Sequence, residues 1–202
     1  MLAFAVDRCG EQLKDRQDAI QYLQNLKEEI RDDVKELQRL SKTISESQRA
    51  AGTLAAHAAR VLPGRDTVAM LFFGLLRKDY DFYPHNATYE SMKFSGDLKL
   101  LSNLNLKRQI VEHYSQYQRI DLVQMEYNNL EREYVAKYLM DNLDYSQFGR
   151  KMEFLLLEDR YMKNIIYSHL GIYVSFKQNF DAAAKRCQKL IEAIDKELAR
   201  LG

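Results

Sequence analysis

The residues able to do chemistry in this chain are few and poorly spaced for it. Its four histidines are His57, His85, His113 and His169, and its two cysteines are Cys9 and Cys187. A carboxylate-bridged metal bundle needs Glu-x-x-His pairs. The residues three before His57, His113 and His169 are Leu54, Ile110 and Ile166, so that pattern is missing. There is no paired Cys-x-x-Cys, no His-Glu-x-x-His, no glycine-rich phosphate loop and no Gly-x-Ser-x-Gly. His113 and His169 fall beside apolar stripe positions and read as histidines at the edge of a core. Cys187 falls on the stripe itself and reads as a buried, inert thiol. Cys9 continues the seam of the first helix. If the first and last helices are antiparallel, both thiols lie toward one end, and a disulfide would need matching side-chain vectors. No catalytic, metal or cofactor residue is assigned, and the chain is read as no enzyme.

One block stands apart. From Asp81 to Leu98 the chain carries a proline, Pro84, two residues able to cap a helix, Asn86 and Thr88, and a possible stop, Gly96. Pro84 disfavours helix at Tyr83, so Asp79 to Ala87 is expected to be extended. Asn86 or Thr88 then caps a two-turn helix, with Glu90 in the first turn where the helix dipole favours an anion. Gly96 supplies the left-handed stop. The block has a structural reading, in which Met92, Phe94, Leu98 and Leu101 plug a gap in the core. It also has a functional one, in which backbone groups converge with Thr88, Tyr89, Glu90, Ser91, Ser95 and Asp97 on a ligand or partner. Asn86-Ala-Thr88 matches a glycosylation sequon, which matters only in a secretory setting.

Long helices must position this block. The first is expected from Leu2 to Arg60, with a stripe at Leu13, Ile20, Leu23, Ile30, Val34, Leu37, Ile44, Ala51, Ala55 and Ala58. Leu26, Leu40 and Leu54 widen it, and Pro63-Gly64 ends it. A short apolar helix follows from Asp66 through Leu76. Asn103 caps a third long segment with its stripe at Leu106, Ile110, Tyr114, Tyr117, Ile120, Val123, Tyr127, Leu130, Tyr134 and Tyr138. That segment ends near Leu143, with a turn over Asp144 to Gly149. The last helix carries Met162, Ile165, Leu170, Tyr173, Phe176, Phe180, Ala184, Cys187, Ile191, Ile194 and Leu198. The expected fold is all-α: an elongated up-down-up-down four-helix bundle with coiled-coil-like repeats, a long first helix and a broken second strut. Residues 1–18 would form a stalk and 19–202 the bundle domain.

Composition agrees. The chain has 202 residues with two prolines and eight glycines, which suits one helical domain. It has 13 tyrosines, nine phenylalanines and no tryptophan; many tyrosines should sit at core edges with the hydroxyl reaching water. Thirty basic and 29 acidic residues give a net charge of +1, interspersed as in Lys27 to Glu36. No basic face appears, so no nucleic-acid partner is expected. Met1 to Val6 is apolar, but a span needs about 20 residues. It reads as a frayed helix start or as the last turns of a membrane helix.

The stretch Phe82-x-Pro84-x-Asn86-x-Thr88-Tyr89-Glu90-Ser91-x-Lys93-x-Ser95-Gly96-Asp97-Leu98 resembles the signature of an uncharacterised bacterial family. The resemblance continues through Leu106 to Tyr114. Members of that family begin with a short basic cytoplasmic segment and one membrane helix, followed by a helical domain on the far side. The resemblance implies an inner-membrane anchor ending near Leu2–Val6 and a periplasmic domain. It implies no activity. A scaffold or interaction domain, with a protein partner or self-association, is the first expectation. A sensory domain binding a small ligand at residues 81–98 is the alternative.

Overall fold

The computed structural model describes the backbone of residues 2–58, 78, 80–142 and 160–202, and the side chains of residues 10–56, 78, 80–141 and 160–202. The expected helix from Asp66 to Leu76, the turn over Asp144 to Gly149, the thiol of Cys9 and the ring of His57 lie outside the described residues. Within them every regular element is a helix, so the chain is all-α.

The elements are α1 (Leu2–Ala58), α2 (Ala87–Ser95), a 3-10 turn (Asp97–Leu100), α3 (Leu104–Gln116), α4 (Gln118–Asn129), a π-helical turn (Leu130–Val135), α5 (Ala136–Asn142) and α6 (Arg160–Leu201). Local chemistry sets several of the boundaries. Asn103 Oδ1 accepts the Leu106 N–H at 3.1 Å and so caps α3. Gly96, at φ +80°, ends α2 in the left-handed region that residues with a Cβ rarely adopt.

The buried seam of α1 is Ala19, Leu23, Leu26, Ile30, Asp33, Leu37, Leu40, Ile44, Ser47, Ala51 and Leu54, with Ser41 and Ala55 buried beside it. That of α6 is Ile166, His169, Tyr173, Phe176, Phe180, Ala183, Cys187, Leu190, Ile194 and Glu197, with Met162, Ile165 and Ile191 buried beside it. Both alternate steps of three and four, the seam of a coiled coil. Leu23, Leu26, Ile30, Leu37, Leu40 and Ile44 expose no surface. Each contributes roughly 1.5–3 kcal/mol by burial, so packing rather than helix propensity holds α1 in place.

Two corrections follow on α1. Val34 was expected in the stripe, yet Asp33 is the fully buried residue and Val34 is only half-buried. Leu13 is exposed, and Ala19 is the first buried side chain. On α6 the buried alanine is Ala183, not Ala184. In the third segment Tyr134 is 53% exposed, against expectation. The π turn inserts one residue, so the inward face passes to Val135 and then to Tyr138 and Leu139.

The chain forms two compact units. The first comprises residues 1–38, 83–118 and 182–202; the second comprises 39–82 and 119–181. In the first, Tyr22 meets Asp97, Glu29 meets Thr88 and Asp33 meets His85, so the broken segment runs antiparallel to α1. Asn103 meets Glu197 and Tyr117 meets Cys187, so α3 runs antiparallel to α6. Lys27 pairs with Asp195, and Arg16 Nε donates to the Leu201 carbonyl at 2.7 Å, so α6 returns beside α1. Direction therefore alternates along the four segments of this unit. In the second unit Phe82 N–H donates to Gln124 Oε1 at 2.9 Å, Tyr80 bonds to Ser47, and Glu131 on the π turn meets His169 on α6.

Candidate functional site

The block at 83–101 lies on α1 within the first unit, and α1 holds it at three levels. Glu29 Oε1 accepts the Thr88 N–H at 2.9 Å and the Thr88 hydroxyl at 2.7 Å. Asn86 is the residue before α2, but its side chain makes no capping bond. The cap expected from Asn86 or Thr88 is thus supplied by a carboxylate from another helix. That carboxylate also sits at the positive end of α2. Four residues on, Asp33 Oδ1 accepts the His85 N–H at 2.9 Å and lies 2.9 Å from His85 Nδ1. At the far end Tyr22 donates to Asp97 Oδ2 at 2.8 Å, and Ser95 Oγ donates to the same oxygen at 2.7 Å. The bond to Asp97 raises the Tyr22 hydroxyl, and the bonds from Ser95 and from Tyr22 lower the Asp97 carboxyl.

Asp33 is the centre of the arrangement, with no exposed surface. Its Oδ2 accepts the Tyr117 hydroxyl at 2.8 Å, and Tyr117 oxygen lies 3.4 Å from Cys187 Sγ. The hydroxyl proton is used on Asp33, so the thiol donates to the phenol oxygen. Burial pushes the thiol up to about 11, which keeps it protonated and unreactive. Burial also raises the Asp33 carboxyl, against the opposing pull of bonds from His85 and Tyr117. Tyr117 and Tyr114 are likewise pushed well above the usual phenol range by burial. The result is a chain from Cys187 through Tyr117 and Asp33 to His85, whose ring is 53% exposed. With Asp33 ionised, His85 Nδ1 carries a proton and donates it to Oδ1. No group of three or more metal-ligating side chains occurs among the described residues.

The remaining motif residues divide by face. Thr88, Tyr89 and Met92 are buried, and the Tyr89 ring stacks on Tyr114 at 4.3 Å between centroids. Glu90 pairs with Lys93 at 3.3 Å, Pro84 is half-buried in the extended run, and Ser91 and Asn86 are exposed. Phe94 was expected in the core but is 83% exposed. Two residues from the buried Met92, it lies across a helix of 3.6 residues per turn and points away; Lys93 Nζ sits 5.7 Å from its ring centre.

In the second unit the polar groups are also consumed internally. Tyr80 donates to Ser47 Oγ at 2.8 Å, and its ring meets Tyr127 edge-on at 5.1 Å. His169 is held at both nitrogens, Nδ1 at 2.9 Å from the Ile165 carbonyl and Nε2 at 2.6 Å from Glu131. It is a satisfied core histidine. The expectation that tyrosine hydroxyls reach water fails at Tyr80 and Tyr117, whose partners are inside.

No family model, curated protein or solved structure matches the chain. Sequence reasoning found Thr88, Gly96, Asp97 and Asn103, but missed Tyr22, Glu29 and Asp33, which hold the block. Asp33 alone leaves a signal, a carboxylate interrupting a 3-4 spacing of apolar residues, which periodicity passes over in favour of Val34. Glu29 and Tyr22 give no such signal, because they flank the seam among other charged and polar residues.

Proposed function

We propose that this chain is a non-enzymatic helical scaffold or interaction domain. The observation that carries the reading is the use made of the block's polar groups. Thr88, His85 and Asp97 are each bonded to α1, and Ser95 to Asp97. Groups that would address a small ligand at residues 81–98 are engaged in holding the block to α1, which supports a structural strut over a sensory pocket there. The one thiol among the described side chains, Cys187, is buried and held protonated.

The motif resemblance extends the reading. In it, α1 continues a membrane anchor and the domain stands on the periplasmic side of a bacterial inner membrane, where it meets a protein partner or a second copy. No described helix is long and apolar enough to cross a membrane.

The test is position-specific photocrosslinking in the native host, with the probe at exposed sites such as Arg31, Phe94 and Leu122. A discrete protein adduct from one face and not the others supports the reading. A chain that gives no adduct from any face, but is stabilised by small-molecule extract and loses that stabilisation with Thr88→Val, overturns it in favour of a receptor at the block.

A further inference from the structure

Between Lys163 and Lys177, α6 carries no aspartate, glutamate, lysine or arginine. From Lys177 to Arg200 a charge recurs at least every fourth residue. Burial does not explain the uncharged stretch. Its inward face is buried, but Asn164, Tyr167, Ser168, Gly171 and Val174 stand exposed on the outward face, within the second unit. Tyr167 is 57% exposed and Val174 41%. The outward face of a solvated helix ordinarily carries charge.

Gly171 lies at the middle of this face. A Cβ added there meets nothing within 4 Å, and glycine inside a helix is less favourable than alanine. The packing of this chain gives no reason for it, whereas the close approach of another backbone does.

The face is also complementary to itself about Gly171. Four residues to either side, Tyr167 answers Ser175; three to either side, Ser168 answers Val174; seven to either side, Asn164 answers Gln178. Two copies of α6 laid antiparallel, with the glycines on a two-fold axis, set each large side chain against a small one and each amide against an amide able to donate and accept. Charge favours the same orientation. A parallel pair would set Arg160 against its own copy. The antiparallel pair brings Arg160, eleven residues before the axis, beside Asp181 of the second copy, ten residues after it. The Asp181 side chain is 44% exposed and holds Lys177 within its own copy, so this rim pair sets orientation more than affinity.

We propose that the outward face of α6 from Arg160 to Asp181 is a self-association surface, on which a second copy of the chain docks antiparallel with Gly171 on Gly171. The contact runs along about 32 Å of helix and, at a helix width of about 10 Å, covers roughly 300 Å² per copy. The total of about 600 Å² is below the roughly 1,200 Å² at which stable complexes begin. The dimer is therefore weak, with a midpoint of about 0.1 mM. This assigns a face to the second copy of the scaffold reading; it rests on that reading and not on the membrane anchor.

The experiment is sedimentation equilibrium of the full chain up to about 1 mM, with thiol crosslinking in a Cys9→Ser background, where the remaining native thiol, Cys187, is buried. The expected result is a monomer–dimer equilibrium near 0.1 mM. Gly171→Leu should weaken it at least tenfold while leaving the thermal melt unchanged or raised, since the new side chain enters open space within the chain. Asn164→Cys mixed with Gln178→Cys should give a dimeric adduct with a short bismaleimide, and neither variant alone should. The proposal is overturned by a monomer at about 1 mM, by an adduct from Asn164→Cys alone, or by a melt lowered in Gly171→Leu, which would show that the chain's own fold needs the glycine. Dimerisation unchanged in Gly171→Leu also overturns it, and leaves the scaffold reading standing with a different face.

Discussion

Replacing Glu29 with alanine removes both bonds that fix the first turn of α2, the 2.9 Å bond from Thr88 N–H and the 2.7 Å bond from its hydroxyl. Loss of a helix cap costs about 0.5–2 kcal/mol, and bonds to a charged acceptor lie at the upper end of net hydrogen-bond values, about 1.5–3 kcal/mol. Glu29 is half-buried, so water recovers part of this. The expected loss is about 1.5–2 kcal/mol, or roughly 3–8 °C in Tm for a chain of this length. Glu29→Gln, which keeps an acceptor but not the charge, should lose about half as much. Thr88→Val removes only the hydroxyl bond. A double-mutant cycle between Glu29→Ala and Thr88→Val should give a coupling of about 1 kcal/mol. Urea melts supply the energies, and hydrogen exchange at the Thr88 amide should quicken in the Glu29 variants while amides in the middle of α6 do not change. A coupling below about 0.3 kcal/mol, with Thr88 protection unaltered, would show that Glu29 does not hold α2 and would remove the support for a fixed strut.

Three further outcomes are expected. Because burial holds the Asp33 carboxyl above its usual range, folding favours its protonated form. The stability it confers is greatest below the unfolded value near about 4 and is lost as pH rises through the folded value. The stability of wild type relative to Asp33→Asn should therefore fall between pH 4 and 7; a rise would mean that the bonds from His85 and Tyr117 outweigh burial. Gly96→Val should cost over about 1 kcal/mol from backbone strain alone, since an added Cβ meets nothing within 4 Å, and an unchanged melt would contradict the left-handed stop. Deleting Arg132 from the π turn should leave a continuous α-helix that still turns Val135 and Tyr138 inward, with helicity kept and stability within about 1 kcal/mol; a collapse of the melting transition would show that the π turn is required.

Much of the fold was legible because the chain repeats one physical instruction, apolar residues at helical spacing. Leu23, Ile30, Leu37 and Ile44 announce the inward side of α1, and Asn103 and Gly96 announce a start and a stop through side-chain and backbone chemistry that is local. What failed was non-local. Nothing within α1 says that Asp33 will find His85, Tyr117 and, through it, Cys187, and without them a buried carboxylate is too costly to expect. Tyr134 failed for a subtler reason: one residue absorbed in the π turn rotates the inward face, and periodicity continued through it lands one position early. The candidate site was half legible. Its α2 residues carry recognisable capping and stop chemistry, whereas Glu29 and Tyr22 look like any solvated helix positions.

The buried Asp33 and Ser47 have a consequence for how the helices choose their alignment. A seam made only of leucine and isoleucine looks the same to its neighbours after a slide of seven residues, so apolar packing alone leaves misaligned assemblies close in energy. Such a slide of α1 in the first unit would bring Leu26 or Leu40 to the place of Asp33. The Tyr117 hydroxyl and the His85 N–H would be stranded without acceptors, and the carboxylate would enter apolar surroundings. In the second unit the same slide would take Ser47 from the Tyr80 hydroxyl. Each polar residue thus penalises a wrong alignment more than it strengthens the right one. Single apolar replacements at position 33 or 47 should broaden the population of alignments the helix samples, a cost visible in line widths and in refolding yield before it is visible in the melting temperature.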